Sequence, residues 1–290
     1  EDIEIRRAKL FEHVVRNIEI SILDFDYIVG RVGPTVIGAY TAIDTCGDYL
    51  EGIWNDDGNV QFSLNDSFQL TNEELEVLRE AARTFGGKTP ADMGNKLWAD
   101  LLGTWPQDIL EARLKDPPLN TGNFGNSTNT IDFEKVLNKG LGYFIQEAQG
   151  HIDDFIANQR QDPSKFYFWK AAIIVCKACI ELSHRYAALA RKMAETESDP
   201  KRKQELSEIA AACEHVPEYP ARSFHEAIQS MAIVGLCKAI EHPMHNFPQW
   251  GRGDQYLYPF FINDIKSGKI TAEQALNLLA ELIGRWGTTI

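Results

Sequence analysis

The chain is poor in positive charge: 29 lysines and arginines face 42 aspartates and glutamates, a net charge of -13. That balance argues against a nucleic-acid backbone or an anionic membrane surface as partner, since neither attracts an acidic protein. Long hydrophobic runs are missing too. The longest, such as Ala171 to Cys176, fall far short of the roughly 20 residues a bilayer requires. No signal peptide opens the sequence, so a cytoplasmic protein is expected. Absent as well are Gly-x-Ser-x-Gly, a phosphate-binding glycine loop and a Gly-x-Gly-x-x-Gly after a strand, which leaves hydrolase, kinase and dinucleotide chemistry without support. Cysteine is scarce and odd in number: five residues (Cys46, Cys176, Cys179, Cys213 and Cys237), four of them inside helical patterns. That is not a disulfide scaffold, and it fits a reducing compartment.

The near-motifs that remain are weak. Cys176-Lys-Ala-Cys179 has Cys-x-x-Cys spacing, but no second pair completes a metal site. It also sits mid-helix rather than at the helix start that lowers a thiol pKa, so packing is the expected role. His242 and His245 are separated by Pro243, which forbids a shared helical face. No metal site is expected. His184-Arg185-Tyr186 reads as a buried polar cluster in preference to a catalytic base.

What is present is 44% hydrophobic and 24% charged, ordinary for one large or two modest domains. The pattern is mainly α with sparse strands. Helices are expected over Ile3 to Glu19, from the Thr71–Glu74 capping box to Gly86-Gly87, from Thr89-Pro90 with Trp98, Leu101, Leu102 and Trp105 buried, and from Asp132 with weak points at Gly140, Gly142 and Gly150. Lys165 to Glu195 reads as one very long helix buried on all but a narrow charged face. Further helices start at Asp199-Pro200, at the Ser223–Glu226 box and at the Thr271–Gln274 box. SILDFDYIVG reads as a strand, and Gly33 to Asp66 as short extended pieces joined by turns.

Two connectors stand out. Leu119 to Thr130 is almost purely small and amide-bearing, and His242 to Asp264 packs prolines, histidines and aromatic rings around Arg252. The second is either a buried aromatic corner or a pocket wall anchored by Gln249, Arg252, Asp254 and Gln255.

The order of segments resembles that of the glycyl radical enzymes, the pyruvate formate-lyase-like superfamily. DYIVG, DFEKVLNKGL, KFYFWKAAIIVCKACIELSHRYAALARKMA, KRKQELSEIAAACEHVP, SFHEAIQ and GRGDQYLYPFFINDI followed by GKITAEQA carry the likeness over nearly the whole chain. GR-x-DQYLYP marks the lyase and dehydratase branch. The resemblance implies a ten-stranded α/β barrel wrapped by helices, in which a cysteine and a glycyl radical meet on two loops. It implies a small-molecule substrate, an S-adenosylmethionine-dependent iron–sulfur activating enzyme and a homodimer. Residues 1–290 would be its N-terminal portion, helical shell plus first strands. Glu1 is not an initiator Met, and Ile290 ends an apolar helix, so a piece of a longer protein is expected. The Gly-Cys-x-Glu and Arg-Val-x-Gly-Tyr loops are absent, so the radical lies outside this chain and no catalytic residue is assigned.

Where family dehydratases carry a pocket His, Thr128 stands, and Gln249 replaces the Ser of Ser-x-Gly-Arg. Both departures count against dehydration of a small polyol, which needs a polar group for the departing hydroxyl. Trp250 points to a flatter substrate, with Asn126, Asn129 and Gln249 binding a carboxylate or similar end. The expected substrate-binding residues are therefore Thr128, Asn129, Gln249 and Trp250, unless they only tie the two loops together. The expected activity is lysis of a C–C or C–heteroatom bond, with decarboxylation of an arylacetate-like acid as the best single choice. A dehydratase or C–S or C–N lyase is the rival. A non-catalytic helical binding protein follows if the chain ends at Ile290.

Overall fold

The computed structural model describes residues 2–33, 59–61, 67–69, 71–85, 96, 130–158, 162–241 and 250–288. The chain divides into two compact units, one of residues 1–40 and 129–290, the other of 41–128.

In the first unit, α1 (Ile3–Asn17) starts at Asp2, whose carboxylate accepts the Glu4 N–H at 3.0 Å. β1 (Ile20–Ser21) then pairs antiparallel with β2 (Arg31–Val32). The second unit holds the antiparallel pair β3 (Asn59–Gln61) and β4 (Ser67–Gln69) and α2 (Asn72–Phe85). Its capping box forms as expected: Thr71 N–H donates to Glu74 Oε2 at 2.8 Å and Glu74 N–H to Thr71 Oγ1 at 3.2 Å. The helix expected after Thr89-Pro90, with Trp98 to Trp105, lies outside the described residues.

Back in the first unit, the amphipathic run from Asp132 is two helices, α3 (Phe133–Lys139) and α4 (Leu141–Ala157). They break at Gly140, whose φ of +74° is not helical, and only glycine fits there, since a Cβ would strike the Glu218 carbonyl oxygen and the Tyr219 backbone. The freed amides are used at once: Leu141 N–H donates to Pro217 O at 2.7 Å and Gly142 N–H to Glu218 O at 2.9 Å. Gly150 stays helical inside α4 with open space beside it.

α5 (Pro163–Thr196) is 34 residues long and capped by Asp162. The expectation that it is buried along its whole length holds only from Ala178 onward; earlier residues are half-buried or exposed, Phe168 at 59%. The cause is its neighbours. The Arg185 guanidinium ties the later part to the Val15 and Ile18 carbonyls at the end of α1, and Ser183 Oγ donates to Val216 O at 2.7 Å. The earlier part meets α4 through a His151–Trp169 stack at 5.2 Å and a Phe155–Phe166 contact at 5.5 Å.

α6 (Pro200–His215), α7 (Phe224–Glu241), α8 (Gly253–Lys266, with Pro259 inside) and α9 (Ala272–Thr288) follow. α7 is apolar nearly all round and buried nearly all round, the signature of a core helix. It packs on α1, α3, α5, α6, α8 and α9. Both halves of the Thr271–Gln274 box form at the start of α9. At α7 only one half does. Glu226 N–H donates to Ser223 Oγ at 3.2 Å, while the Glu226 carboxylate turns to Arg222, accepting its N–H at 2.7 Å.

The expected strand SILDFDYIVG is a strand only where Ile20–Ser21 pairs with Arg31–Val32. Between them, helices supply the partners a sheet would give. Glu281 accepts the Tyr27 and Ile28 N–H groups at 2.9 and 2.8 Å, and Arg202 donates to the Leu23 and Asp26 carbonyls, each at 2.9 Å. The fully buried Asp26 carboxylate pairs with Arg285 at 2.5 Å and Arg31 at 3.5 Å. Among the described residues the architecture is therefore helical, with strands confined to two short antiparallel pairs. No helix there is long and apolar enough to cross a membrane.

Candidate functional site

Of the four expected substrate-binding residues, Trp250 is placed; Thr128, Asn129 and Gln249 lie outside the described residues, as do Asn126, His242 and His245. Trp250 is half-buried against the core. The chain turns at Gly251, φ +58°, and enters α8 at Gly253. The Tyr256 hydroxyl donates back to the Trp250 carbonyl at 2.8 Å. Gly253 packs beside this bond: a Cβ there would make ordinary contacts, 3.4 Å from Tyr256 Oη and 3.5 Å from Trp250 Cε3. Burial pushes the Tyr256 hydroxyl up to about 12, so it remains a donor at neutral pH.

The first connector leaves through Thr130 and Ile131 into α3, where the Asp132 carboxylate accepts the Lys135 N–H at 3.0 Å and Phe133 is 1% exposed. The exits of the two connectors are neighbours. The Cβ position of Gly251 lies 3.7 Å from Thr130 Cγ2, and the Phe133 and Tyr256 rings are 6.3 Å apart at 34°. Residues next in sequence to Asn129 and to Trp250 thus converge, although more than a hundred positions separate them along the chain.

The two readings of the second connector divide between its residues. Trp250, Tyr256, Phe260 and Phe261 rest half-buried on the core, whereas Tyr258 is 56% exposed. Arg252 and Asp254 form an exposed ion pair at 3.3 Å, and Gln255 is exposed. Arg252, Asp254 and Gln255, the other candidate anchors, thus lie on the surface of the described chain, in the first turn of α8.

Much of the recognisable sequence interlocks. Tyr27 of DYIVG stacks on His225 of SFHEAIQ at 4.5 Å and 7°, and burial holds the His225 ring below its ordinary pKa. Asp264, at the end of FFIND, accepts the Phe224 N–H at 2.7 Å and so caps α7, while Phe224 and Phe261 meet edge-on at 5.8 Å. The bonds made by Tyr256, by Asp264 and by Gln229, whose side-chain amide meets both backbone groups of Val29, were missed by sequence reasoning. Their one visible signal is a polar group inside an apolar helical pattern.

Cys176, Cys179 and Cys237 line a mainly apolar concavity of about 810 Å³ between α1, α3, α4, α5 and α7. The Cys179 and Cys237 thiols touch, which with burial raises the Cys179 pKa, and burial pushes Cys176 and Cys213 up to about 12. Cys176, Cys179 and Cys213, so protonated, are poor nucleophiles and poor metal ligands. Among the described residues no cluster of His, Cys, Asp and Glu is arranged to hold a metal. The cluster expected at 184–186 splits: Tyr186 is buried and bonded to Arg31 O, while His184 lies 44% exposed, 3.6 Å from Glu218.

Comparison with known proteins agrees with this architecture. The family model described as pyruvate formate lyase-like matches residues 1–286. Isethionate sulfite-lyase of Oleidesulfovibrio alaskensis is 34% identical over 288 residues, 95% of this chain and 33% of that protein. Indoleacetate decarboxylase of Tractidigestivibacter scatoligenes is 32% identical over 225 residues, 76% of this chain and 25% of that protein. A solved glycyl radical enzyme from Archaeoglobus fulgidus matches with a TM-score of 0.83 at 29% identity, over 100% of this chain and 36% of that one. The chain spans about a third of the length of the first of these relatives.

Proposed function

Because the chain belongs to the pyruvate formate lyase-like family, we propose that it is the N-terminal portion of a glycyl radical lyase acting on a small organic anion. The observation that carries the site is the meeting of the two connector exits, Thr130 with Gly251 and Phe133 with Tyr256. Thr128, Asn129 and Gln249 present polar groups from those connectors and hold a carboxylate or sulfonate end. Trp250 lays an indole beside them and covers the flat or apolar part. The apolar helices behind exclude water from the intermediate. The glycyl radical and its cysteine, when present, supply hydrogen abstraction; both belong to sequence beyond residues 1–290.

The bond broken is C–C or C–heteroatom. Trp250 favours decarboxylation of an arylacetate-like acid, as the name of the indoleacetate decarboxylase suggests. C–S cleavage of a small sulfonate is the second reading, favoured by 34% identity to an isethionate sulfite-lyase over 95% of the chain. In the proposed whole protein, these helices form the shell of a ten-stranded α/β barrel. It works as a cytoplasmic homodimer whose radical is installed by an S-adenosylmethionine-dependent iron–sulfur enzyme.

The test uses the native full-length protein under anaerobic activation. A glycyl radical doublet in electron paramagnetic resonance is expected, then carbon dioxide from an arylacetate or sulfite from isethionate. A native species of only about 33 kDa with no inducible radical would sink the proposal and leave a helical binding protein.

A further inference from the structure

We infer that Tyr256 is a positioning residue that clasps the two connectors together; this rests on the reading of Asn129, Gln249 and Trp250 as the substrate wall. Two contacts leave this one side chain in different directions. Its hydroxyl fixes the Trp250 carbonyl at 2.8 Å, and its ring leans on Phe133, which opens α3 directly after the first connector. The geometry explains why a tyrosine stands there. A phenylalanine would keep the ring contact and lose the carbonyl. A longer polar side chain such as Arg or Gln would reach the carbonyl with several rotatable bonds, whereas Tyr has two and holds its hydroxyl at a fixed distance from the helix.

The adjoining turn fits the same purpose. Gly251, at φ +58°, makes the turn that brings the chain under Thr130. The left-handed conformation suits glycine and strains other residues. Tyr256 is rooted in α8, which packs on the core helix α7. Trp250 is therefore referenced to the interior of the unit through Tyr256. Tyr256 itself need not touch substrate.

Hydrogen exchange on the full-length protein tests this with Tyr256→Phe. Amides of 250–254 are expected to exchange about fivefold faster, the factor for one lost hydrogen bond, while α1 and α6 stay unchanged. Tyr256→Leu, which also removes the ring, is expected to extend the faster exchange to 129–133. Unchanged exchange at 250–254 in Tyr256→Phe, or a uniform rise over the whole chain, overturns the clasp. Faster local exchange with unaltered turnover of the native substrate upholds the clasp and instead removes Trp250 from the substrate wall.

Discussion

The side-chain amide of Gln229 accepts the Val29 N–H and donates to the Val29 carbonyl, each at 2.9 Å. One glutamine on the core helix thus does for the DYIVG segment what a neighbouring strand does in a sheet, satisfying both backbone groups of one residue. Gln229 is fully buried, and so is Val29.

Replacing Gln229 with Leu keeps the volume and strands two buried backbone groups. The expected cost is about 2–6 kcal/mol, at about 1–3 for each unsatisfied group. Urea unfolding of the full-length protein measures it. A loss well under 1 kcal/mol would mean that water or another side chain already serves Val29.

Gly140 and Gly150 lie in one amphipathic run, and alanine should act on them with opposite sign. Gly140→Ala puts a Cβ against the Glu218 carbonyl at a residue held at φ +74°, with an expected loss of about 2–4 kcal/mol. Gly150→Ala meets open space inside α4 and should stabilise by up to about 1 kcal/mol. Thermal midpoints of the two variants decide; movement in the same direction would contradict the break at Gly140.

Burial raises Cys176 and Cys213 from 9.0 to about 12. The thiolate is the reactive form, so at pH 8 each carries about a thousandfold less of it than an ordinary thiol. The neutral thiols are favoured by folding, so their contribution is complete below the unfolded value near 9 and is lost as pH rises towards 12. Iodoacetamide labelling of the native protein, followed by mass spectrometry, should leave both unmodified at pH 8 and gain about tenfold in rate per pH unit above it. Rapid labelling at pH 8 would show a thiol far more open to solvent than this packing allows.

Helix starts were legible where a side chain caps its own backbone, as at Thr71, Asp199 and Thr271, because those contacts lie within three residues. The break at Gly140 was legible only as a weakness, since what leaves room for glycine alone is the distant backbone of Glu218 and Tyr219. The DYIVG segment misled because apolar, β-branched residues suit any fully buried extended chain, and its partners, Gln229, Glu281 and Arg202, come from helices far along the sequence. The half-buried start of α5 was invisible for a similar reason: an apolar helix does not state which neighbours cover it. At the site, the two unusual connectors were recognisable by composition. Their contact, and the tyrosine that joins them, depend on distances no single sequence records.

A shared substrate wall requires Asn129 and Gln249 to be neighbours in the folded protein. Spin labels at Asn129→Cys and Gln249→Cys in the unactivated full-length protein measure this directly. Dipolar broadening of the doubly labelled spectrum relative to the summed single-label spectra is the predicted result. Spectra that simply add, without broadening, would place the two connectors apart and contradict that wall.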